Sequence, residues 1–376
     1  MLGTPSAAKK IRVLVVEDSA TVRGRLCEVL AADPDIEVLG EATDGKRAIE
    51  LCHDLRPDVV SLDMMLPIMT GVAATEYIMA HFPTPILIVS ASTNRGELFR
   101  TYDALAAGAV DVLEKPRGDE TDEDWERCYL ATIKLVSRIK VITHLRARLG
   151  SFGRAPELAR DALPSPATAT IRSATDLPPA RRLVALGAST GGPGALVEIL
   201  RGLPGGFPLP VLIVLHINEP FGTAFAEWLD AQTAHRVAYA RDGALIADGA
   251  GRILMAPPGK HLVIAGARLA LTSEPERHSC RPSIDVLFDS IAREMGATTI
   301  AALLTGMGRD GATGLLGIRR AGGTTIAQDE ATSTVYGMSR EAALIGAADQ
   351  ILPIQEIGPA IAAAAHAAAG AGQARR

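Results

Sequence analysis

From Ile11 to Pro116 the chain alternates short aliphatic runs with amphipathic stretches. The runs Ile11–Val16, Val38–Ala42, Val59–Leu62, Ile86–Ser90 and Val110–Leu113 have the length and branched content of buried strands. Each gap holds one helix, over Ala20–Ala31, Lys46–Leu55, Val72–His81 and Leu98–Ala107. Strands alternating with helices at this spacing predict a doubly wound sheet. A further helix begins near Asp122 and runs past Ile139, and then the periodicity fails. Ser151 to Arg182 carries Pro156, Pro164, Pro166, Pro178 and Pro179 among Ser, Ala and Thr, the composition of a linker.

At Leu183 the rhythm restarts. Leu183–Leu186, Val211–Leu215, Thr299–Leu304 and Thr324–Ala327 read as buried parallel strands. Helices are expected over Gly194–Arg201, Phe221–Ala231, Ser283–Met295 and Ala312–Ala321. Arg252–Ala256, Leu262–Ala265 and Leu269–Thr272 suggest a hairpin or meander, and the Ala-rich stretch after Pro359 a closing helix. The expected fold class is two doubly wound α/β domains, at 9–130 and 182–367, joined by a linker over 131–181.

Composition narrows the classes. Aromatics make up only 4% of the 376 residues, so the cores must be aliphatic, as suits sheets covered by helices on both faces. No apolar run approaches the ~18 residues of a membrane span, and Met1–Lys10 lacks the apolar core of a secretory signal. Cys27, Cys52, Cys128 and Cys280 are scattered, offering neither a disulfide framework nor a zinc motif. A reduced, cytoplasmic protein without membrane insertion is expected. The net charge of −5 gives no case for nucleic acid, and no basic recognition helix follows the linker. Charge is unevenly placed: Lys134–Arg182 holds ten Lys or Arg against Glu157, Asp161 and Asp176. That segment is either a solvated tether or one that docks on acidic surface.

Candidate chemistry gathers at strand ends, where ligands of such sheets bind. Glu17 and Asp18 follow the first strand and Asp63 the third, so their carboxylates converge. Converging carboxylates repel unless a cation joins them, and oxygen-only ligands suit Mg²⁺. Ser90 ends the fourth strand and Lys115 follows the fifth, a hydroxyl and an ammonium able to bind a phosphoryl group. Taken singly, each has a structural alternative; Asp18, for instance, is placed to cap the helix at Ala20.

In the second half, Gly187-x-Ser189-x-Gly191 sits between a strand and a helix. The spacing fits a nucleophile elbow, and equally a phosphate-binding turn or a purely structural one. A serine nucleophile needs a base, and the base an orienting acid. His216 follows the strand Val211–Leu215, and Asp310 lies beyond Thr299–Leu304 on the same expected edge. The order Ser, His, acid differs from the Ser, acid, His order of α/β-hydrolases. A non-catalytic signalling module with an anion-binding glycine turn is the competing reading.

Two resemblances sharpen this picture. VVEDS, SLDMMLP, VSAS and EKP resemble the receiver domain of bacterial response regulators, a flavodoxin-like fold. The resemblance implies that Asp63 accepts a phosphoryl group from a chemotaxis histidine kinase. It also implies Mg²⁺ held by Asp18, Asp63, the Met65 carbonyl and, through water, Glu17, with Ser90 and Lys115 on the phosphoryl oxygens. Receivers often carry an aromatic residue where this chain has Val112. LGASTGG, APPGKHL, RPSIDVLF, LLTGMGRDGATGLLGIRRAGG and AQDEATSTVYGMSREA resemble the chemotaxis-type protein-glutamate methylesterases. That resemblance implies a three-layer catalytic domain needing no cofactor, with Ser189 as nucleophile, His216 as base and Asp310 as its orienting acid. The Met307 and Thr190 amides would be the oxyanion donors. Implied substrates are methyl esters and glutamine amides on methyl-accepting chemotaxis receptors. The family commonly has Gln-His-Met around the base, where this chain has Leu215-His216-Ile217.

Overall fold

The strand β1 (Ile11–Val16) is buried along most of its length, and the aliphatic runs that follow it lie alongside in parallel. With β2 (Ile36–Ala42), β3 (Val59–Leu62), β4 (Ile86–Ser90) and β5 (Asp111–Glu114) it forms a sheet ordered β2-β1-β3-β4-β5. This is the doubly wound order whose switch point lies between β1 and β3. The helices α1 (Ala20–Ala31), α2 (Gly45–Leu55), α3 (Gly71–His81), α4 (Arg95–Ala106) and α5 (Asp122–Val136) cover it. Asp44, Thr70 and Asn94 cap three of them by accepting backbone amides, each bond worth about 1 kcal/mol. Ser19 rather than Asp18 caps α1, which leaves the Asp18 side chain exposed and available. Ile133 and Val136 on α5 are buried in the first core, so the packed chain continues beyond residue 130.

The structure, a computed structural model, describes residues 9–91, 94–116, 122–139, 141, 182–217 and 219–373. Most of the expected 131–181 tether lies outside these residues.

The second unit contains β6 (Leu183–Ala188), α6 (Gly192–Gly202), β7 (Val211–Leu215), α7 (Phe225–Gln232), β8 (Arg236–Tyr239), β9 (Arg252–Met255), β10 (His261–Ala265) and β11 (Arg268–Thr272). After them come α8 (Ile284–Glu294), β12 (Thr299–Leu303), α9 (Ala312–Arg320), β13 (Thr324–Gln328), α10 (Met338–Leu344), β14 (Gln350–Leu352) and α11 (Ile354–Gln373). Seven strands form a parallel sheet ordered β14-β13-β12-β6-β7-β9-β8. The expected meander resolves differently: β9 joins this sheet in parallel, and only β10 and β11 pair as an antiparallel hairpin. β8 and β14 were not anticipated; each is a short edge strand with exposed positions and little aliphatic signal. α11 begins before Pro359 and carries it inside.

One face of the large sheet packs under α6, α7 and α11 through Leu196, Leu200, Phe225, Trp228, Ile357 and Ile361. The other packs under α8 and α9 through Leu287, Phe288, Ile291, Leu315 and Ile318. The two units also share core. Leu98 and Tyr102 of α4 belong to the hydrophobic cluster of the second unit, and Tyr102 is fully buried there. Phe288 is fully buried between α8 and the sheet. Phe288→Ala is therefore expected to destabilise the second unit by about 3–5 kcal/mol in urea unfolding, with the first unit's own transition unmoved.

Candidate active site

Two strand-end pockets emerge, each at a switch point of its sheet. In the first unit Glu17 and Asp63 leave the adjacent ends of β1 and β3 and are almost fully buried. Lys115, after β5, lies 2.8 Å from Glu17 Oε2 and 3.1 Å from Asp63 Oδ2. The Met64 amide donates to Asp63 Oδ1 at 2.7 Å, and the Ser19 amide to Glu17 Oε1 at 3.1 Å. Burial, with Asp63 close by, raises the Glu17 carboxyl above its usual range despite Lys115. Burial likewise raises Asp63 against the pull of Lys115 and the Met65 and Met64 amides. The two carboxylates outweigh burial at Lys115 and raise its pKa.

One ammonium cannot balance this cluster. Oxygens of Glu17, Asp18 and Asp63 lie within 4.8 Å of one another. Ser90 Oγ is buried without a hydrogen-bond partner among the described residues, and the buried oxygens Glu17 Oε2 and Asp63 Oδ2 have to share the single Lys115 ammonium. Buried polar atoms left this way signal a missing ion or group. An all-oxygen set with a hydroxyl and an ammonium at its rim fits Mg²⁺ and a phosphoryl group. Met65 follows on the same loop with its side chain exposed.

In the second unit, β6 and β12 are neighbours whose connections leave in opposite directions. Ser189 follows β6, His216 follows β7, and Asp310 lies in the loop between β12 and α9. The turn after Ser189 is tight: the Gly192 amide donates to the Ser189 carbonyl at 2.6 Å, and Gly191 takes φ +76°, a conformation that favours glycine. Gly306 approaches from β12 so closely that a Cβ there would lie 2.6 Å from Ser189 Cβ. Only glycine lets the loop carrying Met307 reach the serine. The Ser189 amide is engaged by the Thr305 carbonyl at 3.0 Å, and Thr305 Oγ1 donates to the Thr190 carbonyl at 2.9 Å.

His216 Nε2 meets Asp310 Oδ2 at 2.9 Å. Asp310 is 2% exposed and accepts three further bonds, from Ser283 Oγ (2.8 Å), Ile284 N (2.7 Å) and Asp285 N (3.0 Å). Burial opposes its charge, but His216 and these amides hold the carboxyl below its usual range. Burial would likewise lower His216; its bonds to Asp310 and Cys280 win and raise it from 6.5 to about 9. Ser189, Thr190 and His216 line one cavity, so the structure brings them together. The same cavity is lined by Leu105, Asp111 and Val112 of the first unit. Beside it, Tyr102 Oη donates to the Phe221 carbonyl at 2.5 Å and Trp228 Nε1 to Asp103 Oδ1 at 2.8 Å.

The CheB methylesterase family model matches residues 184–361, and that of the response regulator receiver domain residues 13–122. A protein-glutamate methylesterase/protein-glutamine glutaminase 2 of Anaeromyxobacter dehalogenans is 42% identical over 353 residues, covering 93% of this chain and 95% of that protein. The chain belongs to the CheB methylesterase family. A second CheB-type relative, the protein-glutamate methylesterase/protein-glutamine glutaminase of Nitrosospira multiformis, is 41% identical over 93% of this chain and 96% of its own. The solved CheB methylesterase catalytic domain of Thermotoga maritima is 33% identical, with TM-score 0.46, over 49% of this chain and 98% of that one. This CheB-family chain is thus a hydrolase coupled to a response-regulator receiver. No described helix is long and apolar enough to cross a membrane.

Several contacts at the CheB cleft escape sequence reading. Asp111 and Tyr102 look like ordinary strand and helix residues, yet one lines the cleft and the other fastens α4 beside it. Burial raises the Asp111 carboxyl to about 6. Cys280, one of the scattered cysteines, comes to lie against His216. Val112, at the position where receivers often have an aromatic, packs against the hydrophobic clusters of both units.

An imidazole accepts a proton only when neutral, so hydrolysis that uses His216 as its base is expected to climb from pH 7 to about 9. Asp310→Asn should return the imidazole toward 6.5, moving that limb to lower pH while cutting the plateau rate by about 10⁴. The same raised pKa stabilises the fold fully below pH 6.5 and ceases to do so as pH passes about 9. A pH-rate profile of both proteins, with thermal melts alongside, checks the two signs.

Proposed function

We propose that the chain is a phosphorylation-controlled protein-glutamate methylesterase and protein-glutamine glutaminase acting on methyl-accepting chemotaxis receptors. The observation that carries this reading is a serine and a histidine lining one switch-point cavity, with a buried carboxylate bonded to the far side of the ring. Ser189 Oγ attacks the γ-ester carbonyl as His216 Nδ1, the ring nitrogen turned away from Asp310, takes its proton. His216 returns that proton to the leaving methoxide, methanol departs and a glutamyl-serine ester remains. Water, deprotonated by His216, then releases the glutamate side chain; with a glutamine substrate ammonia leaves instead. The Ser189 amide is already bonded to the Thr305 carbonyl; the Met307 amide, as the family resemblance implies, and the Thr190 amide of the turn serve as oxyanion donors. One such donor is typically worth 10²–10³ in rate.

Asp63 accepts a phosphoryl group from a chemotaxis histidine kinase, with Ser90 and Lys115 binding its oxygens. Asp18, Asp63, the Met65 carbonyl and, through water, Glu17 would hold Mg²⁺, which would supply charge neutralisation for that transfer. The unmodified receiver restrains the hydrolase because Leu105, Asp111 and Val112 line the cleft that substrate must enter. Phosphorylation frees it by favouring a second arrangement of the α4 interface. The setting is the cytoplasm, without nucleic-acid partners or membrane insertion.

Methanol release from methylated receptor tests this. Ser189→Ala is expected to reduce it to background, and full retained activity rejects the nucleophile. A fragment starting at Arg182 should be more active than the intact unphosphorylated chain, and equal activity argues against occlusion. In the full chain, Tyr102→Phe leaves the Phe221 carbonyl without its donor and weakens the closed arrangement by about 1–3 kcal/mol. Basal release should then rise by about tenfold, the equivalent of about 1.4 kcal/mol.

A further inference from the structure

Cys280 lies outside the Ser189–His216–Asp310 arrangement, in the loop before α8, yet its Sγ is 3.6 Å from His216 Nδ1. The thiol is partly exposed and donates to the His278 carbonyl at 3.4 Å, so its sulfur lone pairs are available toward the ring. Ligating atoms of His216, Cys280 and Asp310 fall within 4.8 Å of one another. Tetrahedral zinc, with Zn–S of about 2.3 Å and Zn–N of about 2.0–2.1 Å, spans an S···N edge of about 3.5–3.6 Å. The observed separation matches that edge.

The far side of the imidazole is also arranged as zinc sites require. A zinc-bound histidine usually gives its other ring nitrogen to a carboxylate that orients it and raises its basicity. Asp310 does this at 2.9 Å and is itself fixed by Ser283, Ile284 and Asp285. The neighbouring cluster of His278, Asp285 and Asp310 is different in kind. There the Asp285 oxygens already accept from Gly314 N, Thr313 Oγ1 and His278 Nε2, a network that holds α9 against α8.

We propose that Cys280 Sγ and His216 Nδ1 form an inhibitory site for a thiophilic divalent cation of the zinc class, its remaining positions filled by water from the cleft. Binding displaces the thiol proton to solvent and places the metal on the nitrogen that would take the Ser189 proton. The inhibitory consequence rests on the esterase reading above; the binding does not. The ion preference is opposite to that of the Glu17–Asp63 pocket, whose candidate ligands among the described residues are hard carboxylate oxygens that select magnesium.

Cobalt(II) chloride added to the full chain reports the site through its thiolate-to-cobalt charge-transfer band in the near ultraviolet. One equivalent should saturate the band, and zinc chloride should abolish it. The band should vanish in Cys280→Ser and persist in Cys128→Ser, which removes an exposed thiol elsewhere. Zinc should inhibit methanol release by the native protein, with half-inhibition at a concentration at least about tenfold higher in Cys280→Ser. A band that survives Cys280→Ser, no band at all, or equal zinc sensitivity of the two proteins overturns the proposal. If the receptor substrate itself is wrong and no methanol appears, the cobalt band still decides the binding. If Cys280→Ser does not fold, Cys280→Ala carries the same comparison.

Discussion

The catalytic unit is organised around a buried carboxylate that is never without partners. Asp310 takes a hydroxyl and two amides from the first turn of α8, and the imidazole that follows β7. An ionised carboxylate in an aliphatic interior is costly unless each lone pair finds a donor. Here the donors come from two separate stretches of chain, so satisfying the charge also fixes the loops that carry them. Removing one donor would affect the other three, because they share an acceptor. The geometry of the candidate site and its local stability are, at this point, the same set of bonds.

Both units repeat one solution. Where neighbouring parallel strands send their connections in opposite directions, a crevice opens at their carboxyl ends. β1 and β3 bring Glu17 and Asp63 together there; β6 and β12 bring together Ser189 and the Gly306 loop. The outcomes differ by residue type alone. Carboxylates on one edge need a cation, whereas a hydroxyl beside an imidazole needs a carbonyl to attack.

These arrangements explain how far the sequence could be read. The inner strands between Ile11 and Leu303 stand out because a sheet covered on both faces demands uninterrupted aliphatic runs. Their ends were legible for the same reason, and with them Glu17, Asp63, Ser189 and His216. Edge strands such as Gln350–Leu352, with exposed positions, left no such trace. Neither did contacts between distant stretches. Cys280 meets a histidine 64 positions away, and Tyr102 bonds a carbonyl 119 positions away. Nothing in a single aliphatic or polar residue announces a partner that tertiary packing brings from so far along the chain.

The shared core at α4 has a quantitative consequence for the control proposed above. Leu98 and Tyr102 belong to the hydrolase's own hydrophobic cluster, so the two units are held together by ordinary side-chain burial. Each 1.4 kcal/mol of that contact is about a tenfold ratio between docked and parted molecules. Under the proposed control, leakiness without a signal and amplitude with one are set by the same few side chains. A single methylene at either residue would then retune the gain while leaving every reacting atom in place.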